Sequence, residues 1–160
     1  MLIITVRFLG LLLTALLVGA MFGIWLGYNP TALSASAFVE MQQNAIRALN
    51  VPFPVLGFAC IVLTATLAAL TKTDKRARWL LIIAALCLAA AGLITRFANQ
   101  PINAVVMSWS AQAPASNWAE LRDTWWYWHT LRTVVAVTGF GLALLAAVGR
   151  RTDTGSANAA

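Results

Sequence analysis

The sequence predicts an all-α fold, a membrane-embedded four-helix bundle, and three observations carry that expectation. Four stretches, 2–26, 53–70, 79–97 and about 130–149, are apolar over a length that crosses a hydrocarbon core, which takes about 20 helical residues. The 160 residues are 61% hydrophobic and only 10% charged, with a mean hydropathy of +0.78, more apolar than the water-exposed surface of a chain this size can carry. None of the stretches alternates with period two, so a β-barrel is not expected and helices remain as the way to satisfy every backbone group in lipid.

The net charge of +6 sits at helix ends and not on one basic face, so membrane lipid, and not nucleic acid, is the expected partner. Lys72, Lys75, Arg76 and Arg78 outweigh Asp74 between the second and third spans, and Arg150-Arg151 opens the tail. The two long connections hold one arginine each, Arg47 and Arg122, beside Glu40, Glu120 and Asp123. The positive-inside rule therefore puts both termini in the cytoplasm and both long loops outside, in a multi-pass protein of the cell membrane. Residues 1–150 form a single four-span domain on this reading, followed by a disordered cytoplasmic tail over 151–160. A cleaved signal is the lesser reading of the first span, because its apolar run exceeds the usual signal core of about 7–15 residues.

Gly19, Gly23 and Gly27 place small residues along one face of the first helix, a surface for close helix packing that is also open to homo-oligomer formation. After Asn29-Pro30, residues 34–50 are too polar to span. They predict an amphipathic helix on the outer surface, with Phe38, Met41, Ala45 and Leu49 on one face and Glu40, Gln43, Asn44 and Arg47 on the other. The polar face reads either as solvated or as turned inward over a cavity. Pro52 and Pro54 then start the second span. Cys60 and Cys87, each about half-way along a span, read as small apolar packing residues that form a bridge only where their helices appose them.

The stretch 95–133 differs in kind from the rest. It holds five of the seven tryptophans, the single histidine and three arginines; an aromatic belt at the headgroup level accounts for some of these, and a pocket for the rest. Pro101 predicts a short helix through Trp109 capped by Asn99, and Pro114 ends it. Asn117 and Glu120 resemble a capping box that starts a long helix continuing through the fourth span. Trp118, Arg122, Trp125, His129 and Arg132 follow steps of four, three, four and three on that helix and so share a face. Arg132 lies a turn inside the apolar run, where a lipid-facing guanidinium is costly, so it faces the bundle or snorkels. With Arg96 at a similar depth and Asn99 and Asn103 on the adjoining turn, these residues describe an outward-opening polar pocket.

Asn99-Gln100-Pro101-Ile102-Asn103, then Trp109, Trp118, Arg122-Asp123, Trp125, His129 and Arg132-Thr133, in this order and between these spans, resemble the anthrone oxygenase-like family of small membrane proteins. Pro30, Gln42, Gln43 and Pro54 fit its layout, and the resemblance covers nearly the whole chain. Gly27-Tyr28-Asn29-Pro30 and the Trp125-Trp126 pair look like the bacterial, domain-of-unknown-function branch. The resemblance implies an oxygenase without an organic cofactor, acting on an aromatic or phenolic small molecule with dioxygen. Such a substrate has an acidic C–H whose carbanion can reduce dioxygen directly, so the site needs a base and a stabiliser for the enolate. His129 is the candidate base, Arg132 and Arg96 the candidate oxyanion holders, and Asn99, Asn103, Trp109, Trp118, Arg122, Trp125, Glu40 and Gln43 the candidate substrate-binding residues. No cofactor is expected. One histidine and two mid-span cysteines make no recognisable metal-ligand set, and Glu40 with His129 would make only a weak one. A non-catalytic membrane subunit or a small-molecule- or partner-binding protein is the alternative; a transporter fits less well, because the polar residues crowd one end of the spans.

Overall fold

The computed structural model describes residues 1–149; Arg150, Arg151 and the expected tail lie outside the described residues. Its helices are α1 (Leu2–Gly27), α2 (Ala35–Leu49), α3 (Pro52–Leu70), α4 (Lys75–Ile94), α5 (Gln100–Met107) and α6 (Trp118–Val148). Four rods are long and apolar enough to cross a membrane, namely α1, α3, α4 with its continuation into α5, and α6. The chain is thus a multi-pass membrane protein built as an all-α bundle.

Around the bundle, α1 lies beside α3 and α6, and α4 lies beside α3 and α6, so the four rods close a ring in chain order. Lipid tails are as apolar as leucine, so helices in a bilayer associate through close packing, which small residues permit. Buried Ala84, Ala136, Ala143 and Ala146 do this between α4 and α6. The tightest approach is at Gly139, where a Cβ would lie 2.9 Å from Cys87 Cβ and 3.1 Å from the Ala84 carbonyl oxygen. The buried hydroxyls of Thr64, Thr71 and Thr133 donate to backbone carbonyls one turn back, at 2.7–2.8 Å, which satisfies them without a partner helix. Cys60 and Cys87 are free thiols.

Gly19, Gly23 and Gly27 do not pack inside the bundle. A Cβ at any of them would meet nothing within 4 Å, and all three face outward. Helix α1 instead meets α3 at Gly10, whose Cβ would touch Leu63 Cβ at 3.5 Å. The stripe takes no part in packing this bundle, because spacing alone does not show which side of an apolar helix meets the rest of the chain.

One end of the ring is built up by α2, α5 and the first turns of α6. Ser34 caps α2 by accepting from the Ala37 N–H, and the helix buries Phe38, Val39, Gln42 and Ile46. That face is turned from the expected Phe38, Met41, Ala45 and Leu49 stripe. Gln42 can go inside because its amide has polar partners there, whereas Met41 and Ala45 are exposed to a cavity. Packed beneath α2 are Ile102, Val106 and Trp125.

The third rod departs most from expectation. Asn99 does not cap a new helix; it has helical φ and ψ of −77° and −41° and its side chain makes no cap bond. Helix α4 instead widens into a π-helical turn over Thr95–Asn99 and continues directly as α5. Pro101 explains why a change is needed there, since it lacks an N–H and crowds the preceding turn, and a π turn absorbs that mismatch without a break. Asn117 likewise makes no side-chain cap bond. Helix α6 begins on backbone bonds, with Trp118 donating to the Ala115 carbonyl and Leu121 to the Asn117 carbonyl. It then runs 31 residues without interruption, as the sequence led us to expect.

Candidate functional site

Arg132 enters the bundle from α6 one turn below His129 and is 8% exposed. Its guanidinium holds two neighbours. Nε and Nη2 lie 3.3 and 3.0 Å from His129 Nδ1, and Nη1 donates to Thr95 Oγ1 at 3.0 Å. The Thr95 hydroxyl passes its own proton to the Ala91 carbonyl at 2.8 Å, which leaves its oxygen free to accept. Thr95 is the first residue of the π turn, so the helical irregularity and the arginine's support coincide.

Five N–H groups leave a guanidinium, and these bonds use three, so one hydrogen on each terminal nitrogen remains. No carboxylate lies within ion-pair distance of Arg132 among the described residues; Arg122 with Asp123, at 2.8 Å, is the ion pair recorded there. Arg132 is therefore a buried cation without a counter-ion.

His129 is fully buried. Its imidazole lies parallel to Trp125 at a centroid distance of 5.1 Å and near Trp126 at 5.6 Å. Arginine can only donate, so Nδ1 accepts and the neutral ring carries its proton on Nε2. Nε2 has no hydrogen-bond partner of good geometry. With its lone pair turned to Arg132 and its ring off the cavity walls, His129 holds the guanidinium and is badly placed to remove a substrate proton.

A second polar string lies one level up. Tyr28 donates to Gln42 Oε1 at 3.2 Å, Gln42 Nε2 donates to Asn103 Oδ1 at 3.2 Å, and Trp125 Nε1 donates to the same Asn103 oxygen at 2.9 Å. Asn99 is fully buried; its Nδ2 donates to the Trp125 carbonyl at 3.1 Å and its Oδ1 has no partner. These bonds fix Trp125 from both ends, backbone and indole.

Between these strings lies a cavity of about 250 Å³. Ile24, Met41, Ile46, Leu49 and Phe53 give it apolar walls, while Tyr28, Gln42, Gln100, Asn103 and Arg132 bring polar groups to it. An apolar chamber with a few convergent polar groups is the usual form of a small-molecule site.

Of the residues singled out from sequence, Arg132, Asn103 and Trp125 line this cavity, and Asn99 and His129 stand behind its wall. Arg96 is exposed on the π turn beside Phe97 and borders a second cavity that also reaches Arg132. Gln43 is spent on structure, donating to the Val106 and Trp109 carbonyls at 3.0 and 2.9 Å. Trp109 belongs to the packing under α2. Trp118 packs on Phe38 and carries Arg122 over its ring at 4.7 Å, so this pair closes the end of the bundle outside the cavity. Glu40 is exposed, on the far side of α2 from the chamber, and does not approach His129 as a metal partner.

Sequence reasoning missed Thr95, Tyr28 and Gln100 as site residues, and named Gln42 only for its place in the family layout. Thr95 had a readable signal, since it stands four residues before Asn99 and so shares its helix face. Tyr28 and Gln42 had none, because their pairing depends on how α2 folds back over α1.

Comparison with known proteins bears on this geometry. Residues 42–142 match the family model described as anthrone oxygenase. The match begins at Gln42 and takes in Thr95, Asn99, Asn103, Trp125, His129 and Arg132, and leaves out Tyr28 among the cavity's polar residues. No curated protein and no solved structure matches the chain. The matched segment is well over half of the sequence, and the chain belongs to the anthrone oxygenase family.

Proposed function

We propose that the chain is a cofactor-independent oxygenase that binds an aromatic or phenolic small molecule in the cavity and holds its ionised oxygen on Arg132. The observation that carries this reading is the buried guanidinium without a counter-ion. Arginine stays charged in proteins, and an unpaired buried charge is costly, so the site is completed by an anion. The two free N–H groups match an enolate or phenolate oxygen.

For an anthrone-like substrate the balance is simple. The C–H proton is lost, the carbanion's charge moves onto the conjugated carbonyl oxygen against Arg132, and the electrons pass to dioxygen to form a C–O bond and a peroxide anion that takes up one proton. The resulting hydroperoxide loses water as the second C–H breaks and a ketone forms. One substrate and one dioxygen give one ketone and one water, and no other reductant enters. Arg132 does the work of an oxyanion holder, positioned by His129 and Thr95. Asn103 and Gln100 are placed to orient the substrate's oxygen, and Trp125 offers a flat wall for a ring system. No carboxylate or free imidazole lines the cavity, so the proton leaves to water on a substrate acidified by the guanidinium.

The charge asymmetry of the loops supports an orientation in the cell membrane with the cavity end outward and both termini cytoplasmic. Oxygen uptake by the purified protein in nanodiscs with an anthrone, in the presence of a chelator, tests the reading. Uptake equal to ketone formed supports it; binding of the anthrone without uptake above the protein-free rate would leave a ligand-binding membrane protein instead. That second reading draws on the missing base.

A further inference from the structure

A second cavity, of about 240 Å³, lies between α3 and α4 in the half of the bundle that carries Arg132. Leu17, Met21, Gly57, Ile61, Gly92 and Ala136 line it. It shares Phe53, Pro54, Thr95, Gln100 and Arg132 with the first cavity, so the two chambers meet at the guanidinium. Its outer rim is Phe58, 70% exposed, and Arg96, also exposed, on helix faces that meet lipid. Ile61 and Leu88, near the middle of their spans, mark its depth.

The two chambers differ in chemistry. The first brings glutamine and asparagine amides to Arg132, while the second offers aliphatic side chains and two glycines along most of its length. An apolar cavity facing hydrocarbon does not hold water, which needs polar partners. Neither chamber alone reaches the roughly 300 Å³ at which drug-sized ligand sites begin. Both glycines leave real space, since a Cβ at Gly92 would meet only Ile61 Cδ1 at 3.9 Å and one at Gly57 only Leu17 Cδ2 at 3.8 Å. Gly weakens a helix interior, and here it keeps the gap between α3 and α4 open.

We infer that the ligand is a membrane-dissolved molecule that passes sideways from the bilayer between α3 and α4, its acidic oxygen stopping at Arg132 and its extended apolar body remaining in the α3–α4 chamber. The inference rests on the Arg132 site proposed above, but on binding there and not on turnover. A soluble, compact aromatic would use the first chamber alone. A lipophilic phenol or anthrone with an alkyl or further ring extension uses both, and its concentration in the bilayer supplies the site.

Two probes with one head separate these cases: 2,6-dibromo-4-methylphenol and 2,6-dibromo-4-dodecylphenol, titrated against the full chain in nanodiscs. Quenching of indole fluorescence by bromine reads occupancy, with affinities corrected for each probe's partition into protein-free nanodiscs. For the wild type the long-chain phenol binds at least roughly tenfold tighter after that correction, because its chain makes close packing contacts with chamber walls that otherwise lack partner atoms. Gly92→Leu and Gly57→Leu, which fill the chamber from opposite walls, bring the affinity ratio toward one, while Gly141→Leu, on an open outer face, keeps the wild-type ratio. Arg132→Gln weakens both probes. A wild-type ratio near one, or a ratio that survives in both chamber variants, overturns the inference. Anthrone turnover is read separately: a ratio lost in the leucine variants without turnover of any anthrone keeps the route and sinks the oxygenase, and turnover with an unchanged ratio does the reverse.

Discussion

Histidine was the residue that sequence reasoning made the base, and its surroundings argue for another task. A base needs a free lone pair aimed at the substrate, and the His129 lone pair is held by two nitrogens of Arg132. What the imidazole supplies is an acceptor for the Arg132 guanidinium inside the bundle. This gives a test by conservative substitution. Glutamine can accept from Arg132 through Oε1, so His129→Gln is expected to keep at least a tenth of kcat/KM, whereas His129→Leu loses about 100-fold and costs roughly 1–3 kcal/mol of stability from the unsatisfied donors. If the two variants were equally inactive while both stayed folded, His129 would be acting as a proton acceptor after all. Asn103 has the same positioning character: it accepts from Gln42 and from the Trp125 indole, so it ties α2, α5 and α6 at one atom.

At the scale of the helix, what the sequence made legible was periodicity, and what it concealed was facing. The run Trp118, Arg122, Trp125, His129, Arg132 does lie along one side of α6, as its spacing requires. That side divides by height: the first two close the end of the bundle, Trp125 and Arg132 line the cavity, and His129 stands behind its wall. Four apolar spans were equally plain from composition, yet the glycines of α1 face outward while a single glycine of α6, Gly139, sets the closest helix crossing. A helix that is hydrophobic all round carries no sequence mark of its buried side. Gly139→Ala is expected to lower stability by about 1–3 kcal/mol through overpacking against Cys87 and the Ala84 carbonyl, and Gly141→Ala, with open space around it, to leave it unchanged or slightly higher. Thermal unfolding of the two variants in the same detergent decides this, and equal midpoints would contradict the assigned α4–α6 contact. The π turn was hidden for a related reason. Pro101 advertised a helix start, but tertiary packing against α6 carries the rod straight through.

The whole molecule is a ring of four rods, open at one end and built over there by α2 and the first turns of α6. Its larger buried polar side chains are gathered at that end, and its interior elsewhere is apolar apart from threonine hydroxyls, which is why the 95–133 stretch pointed to a candidate site before any contact was known. The partners of that stretch could not be, since Tyr28, Gln42 and Phe53 come from parts of the chain whose return to the site is a property of the fold. The proposed orientation of the ring rests on the charge asymmetry of its loops. A phosphatase reporter, active only outside the cytoplasm, is expected to be silent when fused after Gly149 and active when inserted between Ala113 and Pro114; the opposite pattern would invert the proposed topology.

On our proposal Arg132 stabilises a substrate oxyanion that reacts directly with dioxygen. Single-turnover mixing of metal-free protein and an anthrone with ¹⁸O₂ tests it most directly. One labelled oxygen is expected in the ketone, formed at a rate that falls about 100- to 1000-fold in Arg132→Gln, the usual effect of losing an oxyanion donor, with Arg132→Lys recovering only part because it lacks the two-pronged geometry. Label incorporation at the same rate in wild type and Arg132→Gln would contradict it.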